Sequence, residues 1–137
     1  MFSKIIVPVD LTHADRLSRA LEVAGKLAKL YDAPIVYVGV SPNVPTEVAH
    51  SPAEFEAKLA AFAEAEAAAH GVAASAHAFF SHDPAIDLDE ALPKLVKELG
   101  GDLVVMASHV PGFLDRLWHS HGATLAGHTD ASIFLVR

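Results

Sequence analysis

Short β-branched runs alternate with amphipathic helical stretches from one end of the chain to the other, and that alternation constrains the fold more than any other feature. Ile5-Ile6-Val7-Pro8-Val9, Ile35–Val40, residues 73–80, Leu103–Met106 and Ser132–Val136 are short apolar runs. Ile5–Val9, Ile35–Val40 and Leu103–Met106 lack a polar residue at every second place, which is the pattern of strands buried on both faces, whereas residues 73–80 alternate loosely toward Phe79-Phe80 and read as a third strand. Between them, Leu17, Ala20, Leu21, Ala24, Leu27 and Ala28 recur at three- and four-residue steps and predict a helix over 14–31. Phe55, Leu59, Phe62 and Ala63 do the same for 53–69, where the Ala-rich run 57–69 adds helix propensity and presents a solvated back. Leu92, Leu95, Val96 and Leu99 predict a helix over 89–99, with Pro93 in its first turn, where a missing N–H is harmless. A last helix is expected over 120–128. Asp32-Ala33-Pro34, Gly71 and Gly100-Gly101 end the helices; the prolines at 42, 45 and 52 mark 41–52 as a loop; Ser81-His82-Asp83-Pro84 reads as a turn; and 107–120 is a long loop.

The order βαβαβαβαβ predicts an α/β domain over residues 1–137. The expected architecture is a doubly wound, five-stranded parallel sheet with helices on both faces, the Rossmann-like arrangement. Such sheets bind ligands beyond the strand C-termini, where the strand order reverses. That rule selects residues 8–12, 39–42, 81–84 and 107–120.

Composition removes several function classes. Ten Lys plus Arg against 17 Asp plus Glu give a net charge of −7 with no cationic cluster, so nucleic acid is not expected as a partner. The absence of cysteine excludes disulfides, thiolate nucleophiles and zinc-thiolate fingers. Charges or prolines interrupt every apolar run well before the about 18 residues of a membrane span. The chain enters an apolar strand directly after Met1-Phe2-Ser3-Lys4, which predicts no signal peptide and a cytoplasmic location. No Gly-x-Ser-x-Gly elbow and no Walker P-loop is present, and no general base for hydrolysis is evident.

Three segments resemble the universal stress protein family. Residues 5–10 (Ile-Ile-Val-Pro-Val-Asp) are similar to its opening, residues 102–109 (Asp-Leu-Val-Val-Met-Ala-Ser-His) to its fourth strand and the start of its phosphate loop, and residues 128–137 to its last strand. The resemblance runs in order over the whole chain. It implies a small α/β domain that pairs as a homodimer through its last strand and, in many members, an ATP site; Mg²⁺ is implied only together with ATP. In the family an aspartate after the first strand contacts the adenosine part, backbone around the second strand meets the base, and glycines after the fourth strand let the backbone approach phosphate before a helix N-terminus.

Carried onto this chain, Asp10 stands at the family's aspartate, with Pro8 and Val9 matching beside it, and Val38 and Gly39 fall in the adenine region. Ala107 takes the place of the first loop glycine, Val110 or Pro111 lies near the second, and His109 and Gly112 lie in the loop. Ser120 aligns with the phosphate-binding serine or threonine, and His119 replaces the glycine before it. The phosphate motif is therefore partly degenerate, although His119 and Arg116 are donors that can face phosphate, and a subset of the family shares Ala107-Ser108-His109 with Pro111 two residues on.

Two functional readings stay open. One is a stress-linked binding or signalling module whose cleft has lost its ordinary phosphate loop. The other is an ATP-binding member whose nucleotide state gates partner binding, with at most slow hydrolysis. The residues also carry plain structural readings. Asp10 suits a helix N-cap, and so does Ser120 if the cleft is empty. Phe113 and Trp118 suit packing onto the sheet top. Of nine histidines, His82, His109, His119 and His121 cluster at the ligand edge, but His119 and His121 cannot share one helix face, so no metal site is expected. His13, His50, His70, His77 and His128 read as scattered surface positions.

Overall fold

The computed structural model describes residues 1–42, 45, 48–81, 84–107 and 125–137, with the side chains of 42 and 84–89 outside the description. The strands are β1 (Ile5–Val9), β2 (Ile35–Pro42), β3 (Ala74–Ser81), β4 (Leu103–Ala107) and β5 (Ser132–Val136). They form one sheet in the order β3-β2-β1-β4-β5, and every pairing is parallel. A 3₁₀ helix over Leu11–Leu17 leads into α1 (Ser18–Tyr31); α2 spans Pro52–His70 and α3 spans Pro84–Glu98. Helical backbone also runs over 125–128. The expected doubly wound α/β architecture is therefore present.

Tyr37 in β2 meets Phe62 of α2 edge-on, with ring centroids 5.3 Å apart. Ile6 in β1 lies beside Val96 of α3 where both meet Gly101. Tyr37 pairs in register with Val7, the neighbour of Ile6, so α2 and α3 cover opposite faces. The apolar core fills both faces: Ile5, Ile6, Val38, Leu59, Val104 and Met106 are fully buried.

Several boundaries differ from the sequence reading. Regular α-helix starts at Ser18 instead of 14, because the Asp10 side chain accepts from the Thr12 N–H and the backbone at His13 leaves the helical region (φ −123°, ψ 31°). α3 starts at Pro84 instead of 89, so it opens on a proline where no N–H is required. Pro93 consequently lies inside α3 and not in its first turn. β2 runs on to Pro42, inside the stretch read as a loop.

Asp102, at the entry to β4, ties down the N-terminal segment. Its carboxylate accepts from the Ser3 N–H (2.8 Å), the Ser3 hydroxyl (2.7 Å) and the Lys4 N–H (3.0 Å). Desolvation alone pushes its carboxyl up; these hydrogen bonds together outweigh it and hold the group below the usual carboxylate range.

Tyr37 carries a cost within the core. Its hydroxyl is buried with no hydrogen-bond partner among the described residues. Burial first, and the negative Glu66 second, push its phenol well above its ordinary 10.0. Below that pH folded and unfolded chains both hold the proton. Above it the unfolded chain releases a proton that the folded chain keeps, so Tyr37 makes stability fall as pH rises past 10.0. Tyr37→Phe keeps the ring contact and removes the unpaired hydroxyl. It is expected to be neutral or to stabilise by about 1 kcal/mol at neutral pH, and to flatten the alkaline decline. Denaturant melts at neutral pH and above pH 10.0 check this; destabilisation at neutral pH would contradict it.

Candidate functional site

Strand order reverses between β1 and β4, and there the ladder is short. β1 pairs with β2 along its whole length, Ile5↔Ile35 through Val9↔Gly39. It pairs with β4 only at Ile5↔Leu103 and Ile6↔Val104, whereas β4 pairs with β5 from Leu103 to Ala107. Beyond Ile6 and Val104 the two central strands part. Pro8, which has no N–H to give to either neighbour, sits in the segment that has left the β4 ladder. This is the switch point at the C-terminal edge of the sheet, where doubly wound folds take ligands in a crevice between the central strands.

Asp10 stands on the β1 side of this switch point. It is 9% exposed and follows the last residue of β1 directly. Its Oδ1 accepts from the Thr12 N–H at 3.0 Å, which makes it the N-cap of the 3₁₀ helix. His13 Nδ1 lies 2.8 Å from Oδ2, and the His13 N–H donates to the Asp10 carbonyl at 3.0 Å. Ala107, half-buried, ends β4 on the other side. No group of three or more metal-ligating side chains gathers among the described residues.

Of the residues singled out in the sequence, Pro8, Val9, Asp10 and Ala107 lie at the C-terminal ends of β1 and β4, the two strands that flank the switch point. Val38 and Gly39 lie one strand away, inside the sheet. Val38 is fully buried. A Cβ on Gly39 would stand 2.9 Å and 3.0 Å from the Leu59 methyls and 3.1 Å from Phe55 Cζ, so α2 packs directly on that glycine. The side-chain positions of both residues are occupied by core packing. His109, Gly112, His119 and Ser120 lie outside the described residues, as do Val110, Pro111, Phe113, Arg116, Trp118, His121, His82 and Asp83.

Two histidines read as surface positions are not of that kind. His13 is bonded to Asp10, with its side chain 24% exposed. The His70 ring packs against α1 at Gly25, where a Cβ would stand 2.5 Å from His70 Cγ, and its Nε2 is 3.0 Å from Glu66 Oε2. For His13 a sequence signal existed, since Asp10-x-x-His13 at a helix start sets the two on one side of the turn. For His70 the signal was a glycine inside a helix, which marks a close approach.

At the opposite edge of the sheet lies an open cavity of about 550 Å³, lined by Lys97, Asp102, His128, Thr129 and Asp130 among others. The Asp102 carboxylate there is already engaged by Ser3 and Lys4.

The comparisons with known proteins agree with this fold. The family model described as the universal stress protein family matches residues 1–137. A Burkholderia pseudomallei protein from that family superposes with a TM-score of 0.66 at 24% identity, over 98% of this chain and 95% of that one. An Archaeoglobus fulgidus universal stress protein in complex with dAMP superposes with a TM-score of 0.67 at 18% identity, over 98% of each chain. An Arabidopsis thaliana family protein with AMP bound superposes with a TM-score of 0.63 at 17% identity, over 98% and 90%.

Proposed function

Because the chain belongs to the universal stress protein family, we propose that it is a binding and signalling module, one domain over residues 1–137, that takes an adenine nucleotide in the crevice between β1 and β4. The observation that carries this reading is the parting of the two central strands at the switch point, with the Asp10 carboxylate at its lip. Relatives of the same fold hold dAMP and AMP. Asp10 is an acceptor placed to receive a donor of the nucleoside part, with Pro8, Val9 and Ala107 walling the crevice and the β2 end near Val38 and Gly39 beyond it.

The phosphate end is the weaker one in this chain. Ala107 and His119 stand where the family motif has glycines, so fewer backbone N–H groups approach phosphate closely. His109, Gly112 and Ser120 complete the candidate set. This favours a nucleotide with a single phosphate, held chiefly by its nucleoside end. ATP with Mg²⁺, gating partner binding with at most slow hydrolysis, is the second reading and rests on Ser120 at the phosphate-binding position. A thermal melt of the full chain with AMP, and with ATP and Mg²⁺, separates the two. A ligand bound by the folded state alone raises Tm by mass action. AMP is expected to raise Tm at millimolar concentration, with no further gain from the triphosphate. A larger rise with ATP and Mg²⁺ supports the second reading, and no rise with either overturns both.

We place β5 at a homodimer interface. It is an edge strand, with Phe134 44% and Leu135 50% exposed. An open edge with apolar side chains is an association surface. Light scattering is expected to give twice the chain mass of 14.5 kDa, and Leu135→Lys to shift it toward one; a wild-type monomer would contradict the pairing.

A further inference from the structure

We infer that His13 is a positioning residue for the nucleotide crevice: its imidazole holds the Asp10 carboxylate in the orientation that receives the ligand. The inference rests on the nucleotide reading above and names the residue that sets its recognition end.

Asp10 does not turn freely. Its Oδ1 accepts from the Thr12 N–H at 3.0 Å and its Oδ2 lies 2.8 Å from His13 Nδ1. A carboxylate accepts, so Nδ1 carries the hydrogen and donates. One bond on each oxygen fixes the plane of the group. Two oxygens offer about four acceptor positions, so the pair leaves about two for a ligand, in directions set by the protein. The His13 backbone is tied into the same turn, since its N–H donates to the Asp10 carbonyl and its dihedral angles depart from helix. His13 itself is largely shielded, with its side chain 24% exposed against 11% for Asp10. The remaining acceptor positions of Asp10 suit hydroxyl and amino donors of a nucleoside and disfavour phosphate oxygens. The donor-rich end of the ligand belongs here, and its phosphate points away toward the β4 side.

The test is calorimetric titration of the full-length protein with adenosine and with AMP, beside thermal melts. His13→Ala frees Asp10 to rotate, and the affinity for both ligands is expected to fall about tenfold, the cost of ordering a group that was previously preorganised. His13→Asn places an amide N–H near the position of Nδ1 and is expected to restore affinity to within about twofold of wild type. A role confined to stability would lower Tm in His13→Ala and leave ligand affinity alone. Wild-type affinity in His13→Ala, or equal weakness in His13→Ala and His13→Asn, overturns the positioning role while the nucleotide reading stands. Absence of binding by the wild-type protein to either ligand overturns the nucleotide reading itself, and this inference with it.

Discussion

Asp10→Ala is expected to weaken AMP binding by about tenfold to a hundredfold, the consequence of removing a charged acceptor worth about 1.5–3 kcal/mol to its partner. Asp10 is 9% exposed and reaches the crevice from the end of the central strand β1. A group so placed loses much of its competition from water. The same substitution removes the cap on the 3₁₀ helix, which costs about 1 kcal/mol of stability. Asp10→Asn separates the two effects. Asparagine caps about as well as aspartate, so its Tm should stay near wild type while affinity still falls, because the charge and one acceptor oxygen are lost. Calorimetry beside thermal melting checks both. Unchanged AMP affinity in Asp10→Asn and Asp10→Ala would remove Asp10 from the site.

Gly101→Ala is expected to destabilise the fold by about 3 kcal/mol, at the upper end of ordinary overpacking. A Cβ there would stand 2.3 Å from Ile6 Cγ1 and 3.0 Å from Ile6 Cδ1, with Val96 Cγ1 at 3.5 Å. Ile6 has no exposed surface and is held between β2 and β4, so it cannot swing aside. The strain falls on β1, the strand that carries Asp10. For a chain of this length a loss of that size lowers Tm by roughly 10 °C. Gly127→Ala is the natural control: nothing lies within 4 Å of the added Cβ, and stability should hold or rise slightly. A double variant with Ile6→Ala should lose less than the two single losses added, because the new methyl enters the space left by the old one. Denaturant midpoints decide it, and a Gly101→Ala protein as stable as wild type would contradict the packing described for Ile6.

The sheet was legible because its strands are written twice, once as β-branched runs and once by the helices between them. Ile5–Val9 and Leu103–Ala107 have no polar residue between their ends, and both proved to be central strands. The helix that begins at Pro84 was harder to see, because Asp83-Pro84 signals a turn and a helix start equally well. Pro93 followed from that error: its place in the helix depended on where the helix began. Asp10 was legible as a residue at a strand end facing the switch point. Its partner His13 was hidden among nine histidines, because a surface histidine and one bonded across a turn look alike until the turn is built. Gly39 was placed in the adenine region by resemblance to the family, and the close approach observed there is that of Leu59 and Phe55. A glycine announces that something comes near without saying what. The phosphate-loop residues His109, Gly112, His119 and Ser120 were legible only through resemblance to the family, because a loop has no periodicity to read.

Binding of an adenine nucleotide between β1 and β4 is open to direct measurement. Titration of AMP into the ¹⁵N-labelled full chain, followed by amide chemical shifts, tests it most directly. Saturable shifts are expected, concentrated at Val9–His13 and at Ala107, with the far edge of the sheet silent. Shifts absent at millimolar AMP, or confined to the cavity around Lys97, Asp102 and Asp130, would contradict it.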